Sequence, residues 1–142
     1  MSSQDEVLEY LVKILEETDL GVSLTLCVNG SIISGQMISS KRYFEELSSF
    51  YSEKNITTND HSLIEKGLPI LQQVKQFLQQ KGKSREEQDN PKYIHLEKVV
   101  IYPSNPSQPV GATVWRGKLS SVDGFSIGRG YLKPREVEDV SD

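Results

Sequence analysis

Val22-Ser-Leu-Thr-Leu-Cys-Val28, Asn29-Gly30 and Ser31-Ile-Ile-Ser-Gly-Gln-Met-Ile38 read as two strands joined by a tight turn, and this hairpin decides the fold. Val22, Leu24, Leu26 and Val28 alternate with Ser23, Thr25 and Cys27, the period of two expected of a strand buried on one face. Asn29-Gly30 supplies the two positive-φ positions of a two-residue hairpin turn. Such a loop fixes the register, predicting Leu26 opposite Ile33, Leu24 opposite Gly35 and Val22 opposite Met37. One face is then apolar, and the other carries Ser23, Thr25, Ser34 and Gln36. Gly35 inside the second strand signals a bulge or sharp bend, and a hairpin bent so early predicts a small closed barrel.

On the N-terminal side, Ser3-x-x-Glu6 reads as a capping box, and Val7, Leu8, Leu11, Val12 and Leu15 follow at helical spacing. This helix is expected to end near Thr18 to Gly21 and to pack across the open end of the barrel. On the C-terminal side, Ser39 or Ser40 can cap a second helix with Tyr43, Phe44, Leu47, Phe50 and Tyr51 on its inner stripe and Lys41, Arg42, Glu45 and Glu46 outside. Asn59 or Asp60 opens a third, with Leu63, Ile64, Leu68, Leu71, Val74, Phe77 and Leu78 as its apolar positions. Because proline costs about 3 kcal/mol inside a helix but fits its first turn, Pro69 predicts a break at Gly67-Leu68, a restart and an end at Gly82.

The stretch from Lys81 to Pro91 has no apolar residue and mixes both charge signs, which predicts a solvated loop. Tyr93 to Tyr102 returns to strand pattern, with Ile94, Leu96, Val100 and Tyr102 expected on one face. Pro103, Pro106 and Pro109 fill the next loop, Val110 to Arg116 opens a new strand, and Asp123-Gly124 turns into Phe125 and Ile127. The expected organisation is one α+β domain over residues 1–130, with a helical insertion at about 40–82 after the second strand, a charged loop at 81–91 and a disordered acidic tail at 131–142.

The chain of 142 residues is long enough for one core without disulfides. A single Cys27, no basic-then-apolar leader and no apolar run long enough for a bilayer predict a cytoplasmic protein that does not enter membranes. Twenty acidic residues against sixteen basic give a net charge of -4, which argues against a phosphate backbone as partner.

No catalytic set emerges. Cys27 sits in mid-strand without a histidine beside it, and His61 and His95 lack metal-ligand spacing, so no catalytic residue, metal or cofactor is assigned. His95 reads as a strand-surface residue and Gly128-Arg-Gly130 as too short for a dinucleotide loop. Trp115 and the Tyr43, Phe44, Phe50 and Tyr51 stripe read as core. Candidate interaction residues are Arg116, Gly117 and Lys118 at a strand end, and Lys83, Arg85, Glu86 and Glu87 in the charged loop.

LEYLVK at Leu8 to Lys13, VNGSIISGQMIS at Val28 to Ser39, Tyr43-Phe44, IHLEKVVIY at Ile94 to Tyr102 and WRGKLSSVDGFSIG at Trp115 to Gly128 together resemble the gas vesicle accessory protein GvpU family. The resemblance covers the first third and residues 93–129, and skips Ile56 to Pro91. It implies a soluble, non-enzymatic protein of gas vesicle gene clusters, associated with the vesicle shell, with other gas vesicle proteins and with vesicle clustering, and hence self-association.

A second resemblance concerns fold. Asn29-Gly30, Gly35, Tyr93-Ile-His-Leu96 and Arg116-Gly117 are similar to an Sm-like or SH3-like bent antiparallel β-barrel or sheet with an N-terminal helix and helices inserted after its second strand. That implies an alternative function as an RNA-binding module. The Asp and Asn with which Sm-like proteins hold uridine are replaced here by Ser-Ser-Lys-Arg-Tyr-Phe-Glu-Glu at 39–46, which argues against nucleic acid.

Overall fold

Asn29 and Gly30 take φ values of 51° and 84°, the left-handed pair a two-residue turn demands. Around them β1 (Val22–Val28) and β2 (Ser31–Ile38) pair in the expected register, Leu26 with Ile33, Leu24 with Gly35 and Val22 with Met37. The computed structural model describes residues 4–51, 59–105 and 108–129. Its other elements are α1 (Glu6–Leu15), α2 (Ser40–Ser49), α3 (His61–Gly82), α4 (Arg85–Asp89), β3 (Tyr93–Tyr102), β4 (Val110–Lys118), a 3-10 turn (Leu119–Ser121) and β5 (Gly124–Ile127).

The fold is α+β, with one antiparallel sheet in the order β4-β3-β2-β1-β5. The sheet is open, which replaces the closed barrel expected from the early bend. Closure would need β4 to pair with β5, and the four residues of β5 are committed to β1, from Leu24 with Ile127 to Cys27 with Gly124. Asp123 ties this edge to the hairpin: its N–H donates to the Cys27 carbonyl, and its carboxylate accepts from the Asn29 N–H, both at 2.8 Å.

The bulge signalled by Gly35 is present, and it sits on the neighbouring strand. Ser34 pairs with Val100 and Gln36 with Glu97, so β3 uses three steps where β2 uses two. Lys98 absorbs the excess with φ 53°. A Cβ on Gly35 would lie 3.1 Å from the Glu97 carbonyl oxygen, so glycine is what lets the bulge approach β2. The extra residue also changes the phase of β3. Val99 and Ile101, rather than Val100 and Tyr102, join Ile94 and Leu96 on the apolar face.

Four layers result. On one face of the sheet α1 buries Leu8, Val12 and Leu15 against Leu24, Leu26, Ile33, Met37, Ile94, Leu96 and Val99, each full aliphatic burial being worth about 2 kcal/mol. On the other face α2 sets Tyr43 and Phe44 against Ile38, and α3 packs on α2 through Leu78 and Val74. Trp115 packs against the first core; Phe50 is exposed instead of joining the aromatic stripe.

Helix ends follow side-chain chemistry. Asp5 caps α1 by accepting from the Val7 and Leu8 N–H groups, in place of the expected capping box, whose Ser3 lies outside the described residues. Ser39 caps α2 and Asp60 caps α3. The break expected at Gly67-Leu68 does not occur, and α3 runs through Pro69 to Gly82. A proline removes its own N–H from the ladder and its ring crowds the carbonyl four residues back, and the bonds of the turns on either side carry the helix past it. Within the expected loop at 81–91, Arg85–Asp89 forms the short α4. The tail at 131–142 lies outside the described residues.

Candidate interaction surface

Arg116 lies opposite His95 in the β3–β4 register and collects groups from three other elements, β3, α4 and α2. Its Nε donates to His95 Nε2 at 3.1 Å, and a terminal nitrogen donates to Glu87 Oε2 at 2.8 Å. The guanidinium carbon stands 3.8 Å from the Tyr93 ring centroid and 5.3 Å from that of Phe44. Lys81 Nζ, from the last turn of α3, is 3.9 Å from the same Glu87 oxygen. The short α4 thus delivers one carboxylate to two cations.

His95 is not the strand-surface residue expected: it is 1% exposed, covered by α2 through Tyr43 and Phe44, whose ring centroids are 4.7 and 5.8 Å away. Burial first, and the Arg116 charge second, lower its pKa to about 3. The ring is therefore neutral, and because Arg116 can only donate, Nε2 accepts and the proton resides on the buried Nδ1. With its basic lone pair engaged by Arg116, His95 links β3 to β4. Cys27 is exposed on β1, with β2 between it and β3.

Of the residues singled out from the sequence, Arg116 and Glu87 are therefore brought together. Gly117 is not open backbone, because the Trp115 indole lies where its Cβ would be. Lys118 is exposed at the end of β4, and Lys83, Arg85 and Glu86 are exposed around α4, with Arg85 3.5 Å from Asp89. Lys83 also lines a cleft of about 400 Å³ between α2 and the end of α3, with Lys41, Phe44, Glu45, Ser48, Gln79 and Gly82.

Two buried carboxylates were not singled out by sequence reasoning. Glu97, 2% exposed on β3, has Arg42 of α2 3.0 Å away, and Glu46 beside it is held above the ordinary carboxylate range by burial and then by Glu97. Glu16 accepts from the Ser40 N–H at 2.8 Å and from its hydroxyl at 2.7 Å; burial raises its pKa against those bonds. Glu97, through Arg42, and Glu16, through Ser40, fasten α2 to its surroundings. Among the described residues no group of three or more His, Cys, Asp or Glu side chains is arranged to hold a metal ion.

Six of the exposed apolar side chains form two rows, apart from Leu20, Ile32, Phe50, Val110 and Ile127. Leu63, Ile70 and Phe77 on α3 are each more than half exposed, and Val7 and Tyr10 on α1 likewise, with Ile14 close to half. The sequence reading placed Val7, Leu63 and Phe77 on packing faces. Leu63, Ile70 and Phe77 recur every seven residues and mark a stripe beside the one through Leu71 and Leu78, but both stripes share that spacing, so the sequence does not tell which of them is buried.

Residues 5–130 match the family model described as gas vesicle protein GvpU-like. The chain belongs to the GvpU-like family. No curated relative and no solved structure matches it. The match runs through Ile56 to Pro91, where sequence resemblance alone gave no alignment, so the long α3 and the Glu87-bearing α4 lie within the span of the GvpU-like model. As a family member the chain is a gas vesicle-related protein, and none of its described helices is long and apolar enough to cross a membrane.

Proposed function

We propose that this GvpU-like protein is a non-enzymatic accessory protein that contributes to gas vesicle assembly or clustering through contacts with the shell and with other copies of itself. One observation carries the reading. A member of a gas vesicle family places Leu63, Ile70 and Phe77 in a row on the outermost helix, where they contact water instead of core. Large apolar groups so exposed are associated with surfaces that dock.

Charged contacts act beside the apolar row. Lys118 at the strand end, and Lys83, Arg85 and Glu86 around α4, offer both signs of charge to a partner, while Arg116, Gly117 and Glu87 shape that edge from beneath. Individually weak contacts suffice on a vesicle, because an arrayed surface raises the effective concentration of every site. The test is the size distribution of purified vesicles by light scattering as the protein is added. Growth of clusters that reverses on dilution supports the reading, and a distribution unchanged at micromolar protein refutes it.

A further inference from the structure

The self-association in the proposed reading leaves open which surfaces meet, and on that reading the two exposed rows answer the question. Val7, Tyr10 and Ile14 on α1 fall at i, i+3 and i+7, one ridge along the outer side of the helix. Leu63, Ile70 and Phe77 make a longer ridge on α3, where fourteen residues of helix span about 21 Å. The α1 ridge, about 10 Å long, fits within it.

Charge distinguishes the ways in which these ridges can meet. Outside its buried Glu16, α1 and the turn after it carry Glu6, Glu9 and Glu17 against Lys13, an acidic surround. The α3 helix and its two caps carry Lys66, Lys75, Lys81 and Lys83 against Asp60 and Glu65, a surround that stays net basic although Lys81 also faces Glu87. Pairing α1 with α1, or α3 with α3, sets like charge against like. Only α1 on α3 joins apolar ridge to apolar ridge with opposite charges at the margins.

The two ridges cannot meet within one molecule, since α1 lies on one face of the sheet and α3 is the outer layer on the other. We infer that α1 of one copy docks on α3 of the next, a head-to-tail contact. Each copy at the end of such an assembly keeps one free ridge, so the contact propagates beyond a dimer, into open chains or into rings where the rotation between neighbours closes. A protein that is bivalent in this way can bridge objects to which it is bound at intervals.

The test pairs two variants that each lose one end. Ile70→Ser with Phe77→Ser removes the α3 ridge and leaves α1 intact; Val7→Ser with Tyr10→Ser does the reverse. All four positions are exposed, and far-UV circular dichroism confirms that both variants fold. In sedimentation velocity the wild-type chain gives species that grow with concentration beyond a dimer, each variant alone is monomeric, and an equimolar mixture gives a one-to-one heterodimer. If one variant still dimerises alone the contact is symmetric, and if the mixture stays monomeric or the wild-type chain never associates, the head-to-tail contact is overturned. Vesicle clustering that persists in any of these cases leaves the proposed function standing.

Discussion

Arg116 and Glu87, 29 residues apart in sequence, meet through a hydrogen bond of 2.8 Å that joins the end of β4 to α4. The guanidinium also stacks on Tyr93 and, among the described residues, is the one hydrogen-bond partner of the His95 ring. The edge of the sheet and the segment after α3 are thereby one unit, although neither contributes much apolar surface to the other.

Arg116→Ala leaves the Glu87 carboxylate with only the more distant Lys81 and strips His95 Nε2 of its donor in a buried position. Loss of roughly 2 kcal/mol in urea-unfolding stability is expected. Arg116→Lys should recover little of it, because a lysine cannot stack flat on Tyr93 while donating to both partners. A change below about 0.5 kcal/mol would mean that water replaces the whole arrangement.

His95 gives a pH signature. Its pKa in the fold, about 3, lies below its ordinary 6.5, so the unfolded chain takes up a proton first as pH falls, and stability declines from about pH 6.5 downward. The contribution to the slope is at most about 1.4 kcal/mol per pH unit. Glu16 and Glu46 oppose it, since their raised pKa values make the folded state bind protons more readily above the ordinary 4.5. Comparing the wild-type chain with His95→Gln isolates the histidine: the variant is less stable at pH 7 but loses less between pH 6.5 and 5. Parallel stability curves would refute the assignment.

Gly35→Ala places a Cβ 3.1 Å from the Glu97 carbonyl oxygen and 3.3 Å from Val99 Cγ2. Backbone must shift to admit it, at a cost of about 1–3 kcal/mol by chemical denaturation. Gly67→Ala is the control, since open space surrounds that position and alanine favours a helix: a neutral or stabilising effect is expected.

The hairpin register was legible because a two-residue turn admits only one pairing, and Gly35 correctly announced a bulge. What the sequence hid was contact between distant segments. No local pattern shows that Lys98 would take the extra residue and change the phase of β3, nor that α2 would cover His95. Pro69 misled for the opposite reason: a strong local rule lost to a helix long enough to continue around it. For the interaction surface, the sequence supplied Arg116 and Glu87 without their union, and the apolar ridges were concealed because periodicity marks a helix without saying which stripe is buried.

Association should weaken with salt. The margins of the α1 and α3 ridges carry opposite charges in water, and the screening length shortens from about 10 Å at 0.1 M salt to about 3 Å at 1 M. Static light scattering at fixed protein concentration is expected to fall across that range. Scattering that rises with salt would assign the contact to apolar burial alone.

The proposed role requires that the protein engage gas vesicles directly. Purified vesicles stripped of bound protein, mixed with this chain and centrifuged so that they float, measure that engagement without any assumption about oligomers. Enrichment of the chain in the buoyant layer is expected. A chain left evenly distributed through the tube at both low and moderate salt would contradict it.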